Sequence, residues 1–151
     1  PSDPSEGTMF FNTTDSQLEI YENSKWQKDR TTATYIVAAT DSINKEKADY
    51  VANGTNDQET IETALAALPA GGGLVYLLEG IYSINNEINI TQASTTLMGS
   101  GPSTRLNITA TSTNWDIIDV ASTHHVYIGN LSIDGSAATG GSPSGTRPWA
   151  H

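Results

Sequence analysis

Thr55-Asn56-Asp57-Gln58-Glu59-Thr60-Ile61-Glu62-Thr63-Ala64-Leu65-Ala66-Ala67-Leu68, followed by Pro69-Ala70-Gly71-Gly72-Gly73 and Leu74-Val75-Tyr76-Leu77-Leu78-Glu79-Gly80-Ile81-Tyr82, sets one amphipathic helix directly before a short strand. Thr55 and Gln58 stand three apart, as in a capping box, and Asp57, Glu59 and Glu62 sit in the early turns, where the helix dipole favours negative charge. Ile61, Leu65 and Leu68 recur at i, i+4 and i+7 with Ala64 beside them, so a helix over 56–68 is apolar on one stripe only. Pro69 and the glycine run stop it. A lone helix of this length in a strand-rich chain has to lie on the end or the edge of a sheet.

Downstream, strand-like runs are expected at 74–78, 81–84, 88–90, 95–98, 105–108, 115–120, 125–128 and 131–133, the last ending at Asp134-Gly135. Val75, Leu97 and Val126 can be set in equivalent places. A strand-turn unit that recurs in this way predicts a solenoid, in which each turn stacks on the next because it cannot bury its apolar face alone. Upstream, 9–12, 18–22 and 25–28 are separated by Thr13-Thr14-Asp15-Ser16 and Asn23-Ser24, the pattern of an antiparallel meander. Leu18 and Ile20 share one face of that ribbon, and Trp26 is the large residue expected to cover it. Further strands are expected at 32–40 and 49–52.

The composition narrows the function classes. The formal charge of -10, from 17 acidic and 7 basic side chains, argues against nucleic acid and anionic membranes, since counterion release needs clustered Lys and Arg. The 15 Ser, 20 Thr, 11 Asn and 13 Gly favour strands and turns and exclude an all-α bundle. With no cysteine, disulfides, thiolate metal sites and cysteine nucleophiles are excluded. No apolar run is long enough for a membrane span, and the start at Pro1 is read as a processed or fragment N-terminus.

The segments Ala48-Asp49-Tyr50-Val51-Ala52-Asn53-Gly54-Thr55-Asn56-Asp57-Gln58, Gly71-Gly72-Gly73, Val75-Tyr76-Leu77-Leu78-Glu79-Gly80-Ile81-Tyr82 and Ile128-Gly129-Asn130-Leu131-Ser132-Ile133-Asp134-Gly135 resemble the N-terminal cap and first coils of the pectate-lyase-like right-handed parallel β-helix superfamily. Asn53 stands for the usual Asp and Leu78 for the usual Pro. The resemblance implies an all-β fold: a short right-handed parallel β-helix of about three coils, one N-terminal capping α-helix, and an antiparallel strand-rich arm. The boundaries that follow are 1–31 for the arm, 32–135 for the capped β-helix and 136–151 for a Gly/Ser/Pro-rich tail. The segment Gly7-Thr8-Met9-Phe10-Phe11-Asn12 with Leu18-Glu19-Ile20-Tyr21 and Lys25-Trp26 is similar to a short repeat of phage tail fibres and virion appendages.

The superfamily contains pectate lyases, polygalacturonases and tailspike depolymerases, which need converging carboxylates and a base. Here Asp116 and Asp119, three apart in a strand-like run, face opposite ways, and Asp134 before Gly135 reads as a turn residue. His124 and His125, adjacent in an expected strand, also face opposite ways and lack a third ligand. Gly71 to Gly73 and Gly99-Ser100-Gly101 are read as turns, since no Lys follows in P-loop register. No catalytic residue, metal or cofactor is assigned. Trp115 reads as core or loop cover, while Trp149 is a candidate for stacking on glycans.

Five N-x-[ST] sequons make Asn12, Asn53, Asn89, Asn107 and Asn130 glycosylation candidates in an exported chain. Phe10, Leu18, Ile20 and Trp26 are the subunit-contact candidates. The expected function is a non-enzymatic extracellular structural protein, on a cell surface or a virion, that builds a fibre, tail appendage or surface layer as a homo-oligomer or head-to-tail filament. The alternatives are the N-terminal fragment of a carbohydrate-active enzyme (tailspike depolymerase or polysaccharide lyase) and an adhesin for surface glycans.

Overall fold

In the computed structural model the described residues are 5, 7–12, 17–22, 25–28, 33–110, 116–120 and 122–138. The chain divides into two compact units, Pro1–Thr32 and Ala33–His151. In the first, β1 (Met9–Asn12), β2 (Gln17–Glu22) and β3 (Lys25–Lys28) form an antiparallel sheet in that order. Its register sets Phe11 opposite Leu18, Met9 opposite Ile20 and Trp26 opposite Tyr21. Trp26 is therefore not paired with Leu18 or Ile20. The side chains of Phe10, Leu18, Ile20 and Trp26 lie outside the described part of the structure.

The second unit contains β4 (Tyr35–Ala38), a 3-10 turn (Lys45–Lys47), β5 (Tyr50–Val51), α1 (Asp57–Ala66), β6 (Gly73–Leu77), β7 (Gly80–Ile84) and β8 (Ile88–Asn89). Then follow β9 (Thr95–Gly99), β10 (Thr104–Ile108), β11 (Ile118–Asp119), β12 (Tyr127–Gly129) and β13 (Ser132–Asp134). They pair in parallel as three sheets, with orders β12-β9-β6-β4-β5, β13-β10-β7 and β11-β8. From β6 onward each strand pairs with the one three places later, so the chain visits the three sheets in turn.

This corrects the expectation of a right-handed parallel β-helix. The strands are two to five residues long and belong to separate sheets rather than to one continuous coiled ribbon. The physical reason lies in the corners. Ser94, Ser122, His125 and Asn130 take left-handed conformations, as do Gly72 and Gly101, and each breaks the extended backbone before a strand can lengthen. The expected columns shift too: Leu97 pairs with Val75 on one side and with Ile128 on the other, two residues beyond Val126. The run expected at 115–120 contributes only Ile118–Asp119 as strand, and Trp115 lies outside the described residues.

The helix also differs at its start. Asn56, in the left-handed region at φ 56°, occupies the N-cap and makes no side-chain cap bond. The Thr55 hydroxyl donates to Asn53 Oδ1 at 3.0 Å, and Gln58 Nε2 donates to Asn85 Oδ1 at 2.7 Å, so the expected capping box does not form. Asp57 anchors this end of the helix in a different way: its carboxylate accepts the Gly54 N–H and the Ser83 N–H, each at 2.8 Å. Asp57 is buried, and it pins the first turn of α1 to β7.

The core fills the space between the sheets and α1. Ile61, Ala64, Leu65 and Leu68 are buried in one cluster with Val37, Val75, Leu77, Tyr82, Ile84, Ile88 and Ile90, while Leu97 and Leu106 continue the core into the next round. α1 packs on β4, β5, β7 and β8 and closes the first end. Buried polar groups are paired, as burial demands. The Tyr82 hydroxyl reaches the carbonyls of Val37 at 3.0 Å and Leu78 at 3.1 Å, and Thr104 Oγ1 accepts the Ser100 N–H at 2.8 Å. Among the described residues no buried side-chain nitrogen or oxygen lacks a partner.

Candidate functional site

The two ends of the stacked sheets differ chemically. At the first end α1 supplies the apolar cover. At the other, all three sheets finish on strands of the same round, β11, β12 and β13. The register makes the consequence visible residue by residue. Val75 and Leu97 are 0% exposed, but Ile128, next in that column, is 36% exposed. Tyr82 and Leu106 are 0% exposed, but Ile133, next in theirs, is 50% exposed. Ile88 is buried and its partner Ile118 only partly so. Val120 and Tyr127 are exposed nearby in the chain. Among the described residues this end thus offers exposed apolar side chains on three edge strands, a combination that favours the addition of further polypeptide.

Composition pointed to an incomplete stack but did not single out Ile128, Ile133, Ile118 and Val120. In sequence, a residue of a last strand looks the same as one of a middle strand.

The acidic candidates do not converge. Asp116 is exposed and its backbone N–H donates to Glu87 Oε1 at 3.3 Å, while Asp119 belongs to β11. Asp134 accepts the Ser136 N–H at 2.9 Å, which is an Asx turn, and lies 3.7 Å from Arg105. The Ser136 hydroxyl and then its backbone N–H hold the Asp134 carboxyl below the usual carboxylate range, with a smaller push from Arg105. A lowered folded-state pKa means that the turn's stabilisation is present above the ordinary carboxylate pKa and fades as pH falls through the lowered value. A carboxyl-carbon NMR titration should therefore place the Asp134 midpoint below that of an unstructured peptide, and Ser136→Ala should move it upward.

His124 and His125 depart from the strand expectation. His125 takes φ 56°, outside any strand, and the two exposed rings meet edge to face at 4.7 Å rather than pointing apart. Among the described residues no three His, Cys, Asp or Glu side chains gather as a metal site. Gly71 to Gly73 and Gly99 to Gly101 serve corners, with Gly72 at φ 85° and Gly101 at φ 111°. Burial pushes the Tyr82 hydroxyl well above the usual phenol range, with the charges of Glu79 and Asp41 adding to it, so it stays a proton donor to backbone carbonyls. A recess of about 200 Å³ lies beside α1, with Leu65, Ile90 and Thr95 among its lining. Its polar rim is occupied internally: Glu62 Oε1 accepts both the backbone and the side-chain N–H of Asn89 at 2.8 Å.

The sequons sit in different surroundings. Asn53 is exposed, Asn107 is half-buried in β10, and Asn89 has its amide on Glu62. Asn130 donates its amide to the Gly99 carbonyl at 2.9 Å. The side chain of Asn12, and Trp149 entirely, lie outside the described residues. No helix among the described residues is long and apolar enough to cross a membrane.

These features define the chain as a β-rich protein of short parallel sheets, with a closed end, an open end and no converging catalytic groups among the described residues. No protein-family model and no curated protein matches it. Among solved structures it is similar to ORF18 of Geobacillus virus E2, with 19% identity and a TM-score of 0.52 over 90% of this chain. The match spans 32% of the viral chain, and what the two share is the fold.

Proposed function

We propose that the chain is a non-enzymatic structural segment of a virion fibre or tail appendage, working outside the cell, whose copies associate through the open end of the second unit. The observation that carries this reading is the common ending, among the described residues, of three parallel sheets at β11, β12 and β13, with Ile128 and Ile133 exposed next to the fully buried Leu97 and Leu106. The likeness to a viral chain supports it.

The capped end of a neighbour is a poor partner for this surface, because α1 turns Glu59 and Thr63 outward. The short antiparallel strands of the first unit are the element suited to cover it in a head-to-tail contact. Sedimentation of the full chain over a concentration series tests this reading. The expected result is association that Ile128→Lys with Ile133→Lys abolishes while leaving the urea midpoint nearly unchanged, since surface substitutions usually shift stability by less than about 0.5 kcal/mol. Association that survives the double substitution, or a wild-type chain that stays monomeric throughout, overturns it.

A further inference from the structure

We propose that Asn53 is a self-modifying residue, set up by its surroundings to convert to aspartate and isoaspartate within the folded protein. Asn53-Gly54 is the only Asn-Gly pair in the sequence. Gly54 has no side chain to shield its backbone nitrogen, which lies one bond beyond the Asn53 carbonyl carbon and can close a five-membered ring on the side-chain amide carbon.

Three further contacts meet here. The Asn53 Oδ1 accepts the Thr55 N–H at 2.8 Å and the Thr55 hydroxyl at 3.0 Å. That pair of donors polarises the amide carbon and holds the negative charge that collects on Oδ1 when the carbon becomes tetrahedral. The nucleophile is prepared from the other side, because the Gly54 N–H donates to the buried carboxylate of Asp57 at 2.8 Å. The Asn53 side chain is exposed, so the leaving group has access to water.

The step balances in atoms and charge. The Gly54 nitrogen bonds to Asn53 Cγ as its proton passes to Asp57. The Cγ–Nδ2 bond then breaks, that proton returns to the departing nitrogen through solvent, and ammonia leaves a succinimide. Water opens the ring at either carbonyl to give aspartate or isoaspartate. Each conversion adds one negative charge to a chain already at -10, and isoaspartate inserts a methylene into the backbone four residues before the start of α1. This inference does not depend on the proposed assembly role.

Incubation of the full chain at mildly alkaline pH, followed by peptide mass mapping and an isoaspartate assay, tests it. The expected result is a gain of one mass unit at Asn53, several-fold faster in the folded protein than in the same chain held in guanidinium chloride at the same pH. Thr55→Val removes one Oδ1 donor at an exposed position and should slow the folded reaction several-fold, and Asp57→Asn should slow it further where that variant folds. Conversion no faster in the folded chain than in the denatured one overturns the proposal, as does a Thr55→Val rate equal to wild type.

Discussion

Replacing Gly72 by alanine is expected to destabilise the second unit by more than about 3 kcal/mol, a large fraction of the stability of an ordinary domain. Two costs combine. Gly72 sits at φ 85°, where an L side chain is strained by about 1 to 2 kcal/mol. A Cβ there would also stand 2.1 Å from the Ser94 carbonyl oxygen and 2.6 Å from its carbon, which are backbone atoms and cannot swing aside. Ser94 can retreat only by opening the start of the β6–β9 ladder, where Gly73 donates to the same carbonyl at 3.2 Å and pairs with Thr95. Gly71 is the internal control, because a Cβ there meets nothing within 4 Å. Urea unfolding of the two alanine variants should separate their midpoints widely. Equal midpoints would mean that the corner yields easily and that the close approach is not a constraint.

Truncating Leu65 to alanine should cost about 2 to 5 kcal/mol, as for other large-to-small changes in a core. Leu65 is 4% exposed and central to the α1 stripe that covers Ile88 and Ile90. It also lines the recess beside the helix, which is open to solvent, so water can enter the space the truncation leaves. That places the expected cost in the lower half of the range. Thr63→Ala, on the exposed side of α1, should change stability by less than about 0.5 kcal/mol. A Leu65→Ala cost as small as that of Thr63→Ala would mean that α1 does not close the core.

The sequence by itself determined the features that depend on neighbours a few residues apart. Ile61, Leu65 and Leu68 announce the buried side of α1 and of the turn that follows it through helical spacing. Asp134 before Gly135 announces its turn in the same way. Pairing between strands is not local. It depends on how many residues each corner consumes and which of them turn left-handed, so only the tertiary structure decided that Ile128 rather than Val126 joins Leu97, and that the short strands divide among three sheets.

The anchoring of the start of α1 was decided in the same place. Thr55 and Gln58 had the right spacing for a local solution, but Asp57 could satisfy both Gly54 and Ser83 only once β7 had been brought beside the helix. The exposure of Ile133 is likewise no property of Ser132-Ile133-Asp134. A strand is covered only when another is laid against it, and at this end of the second unit none of the described strands is.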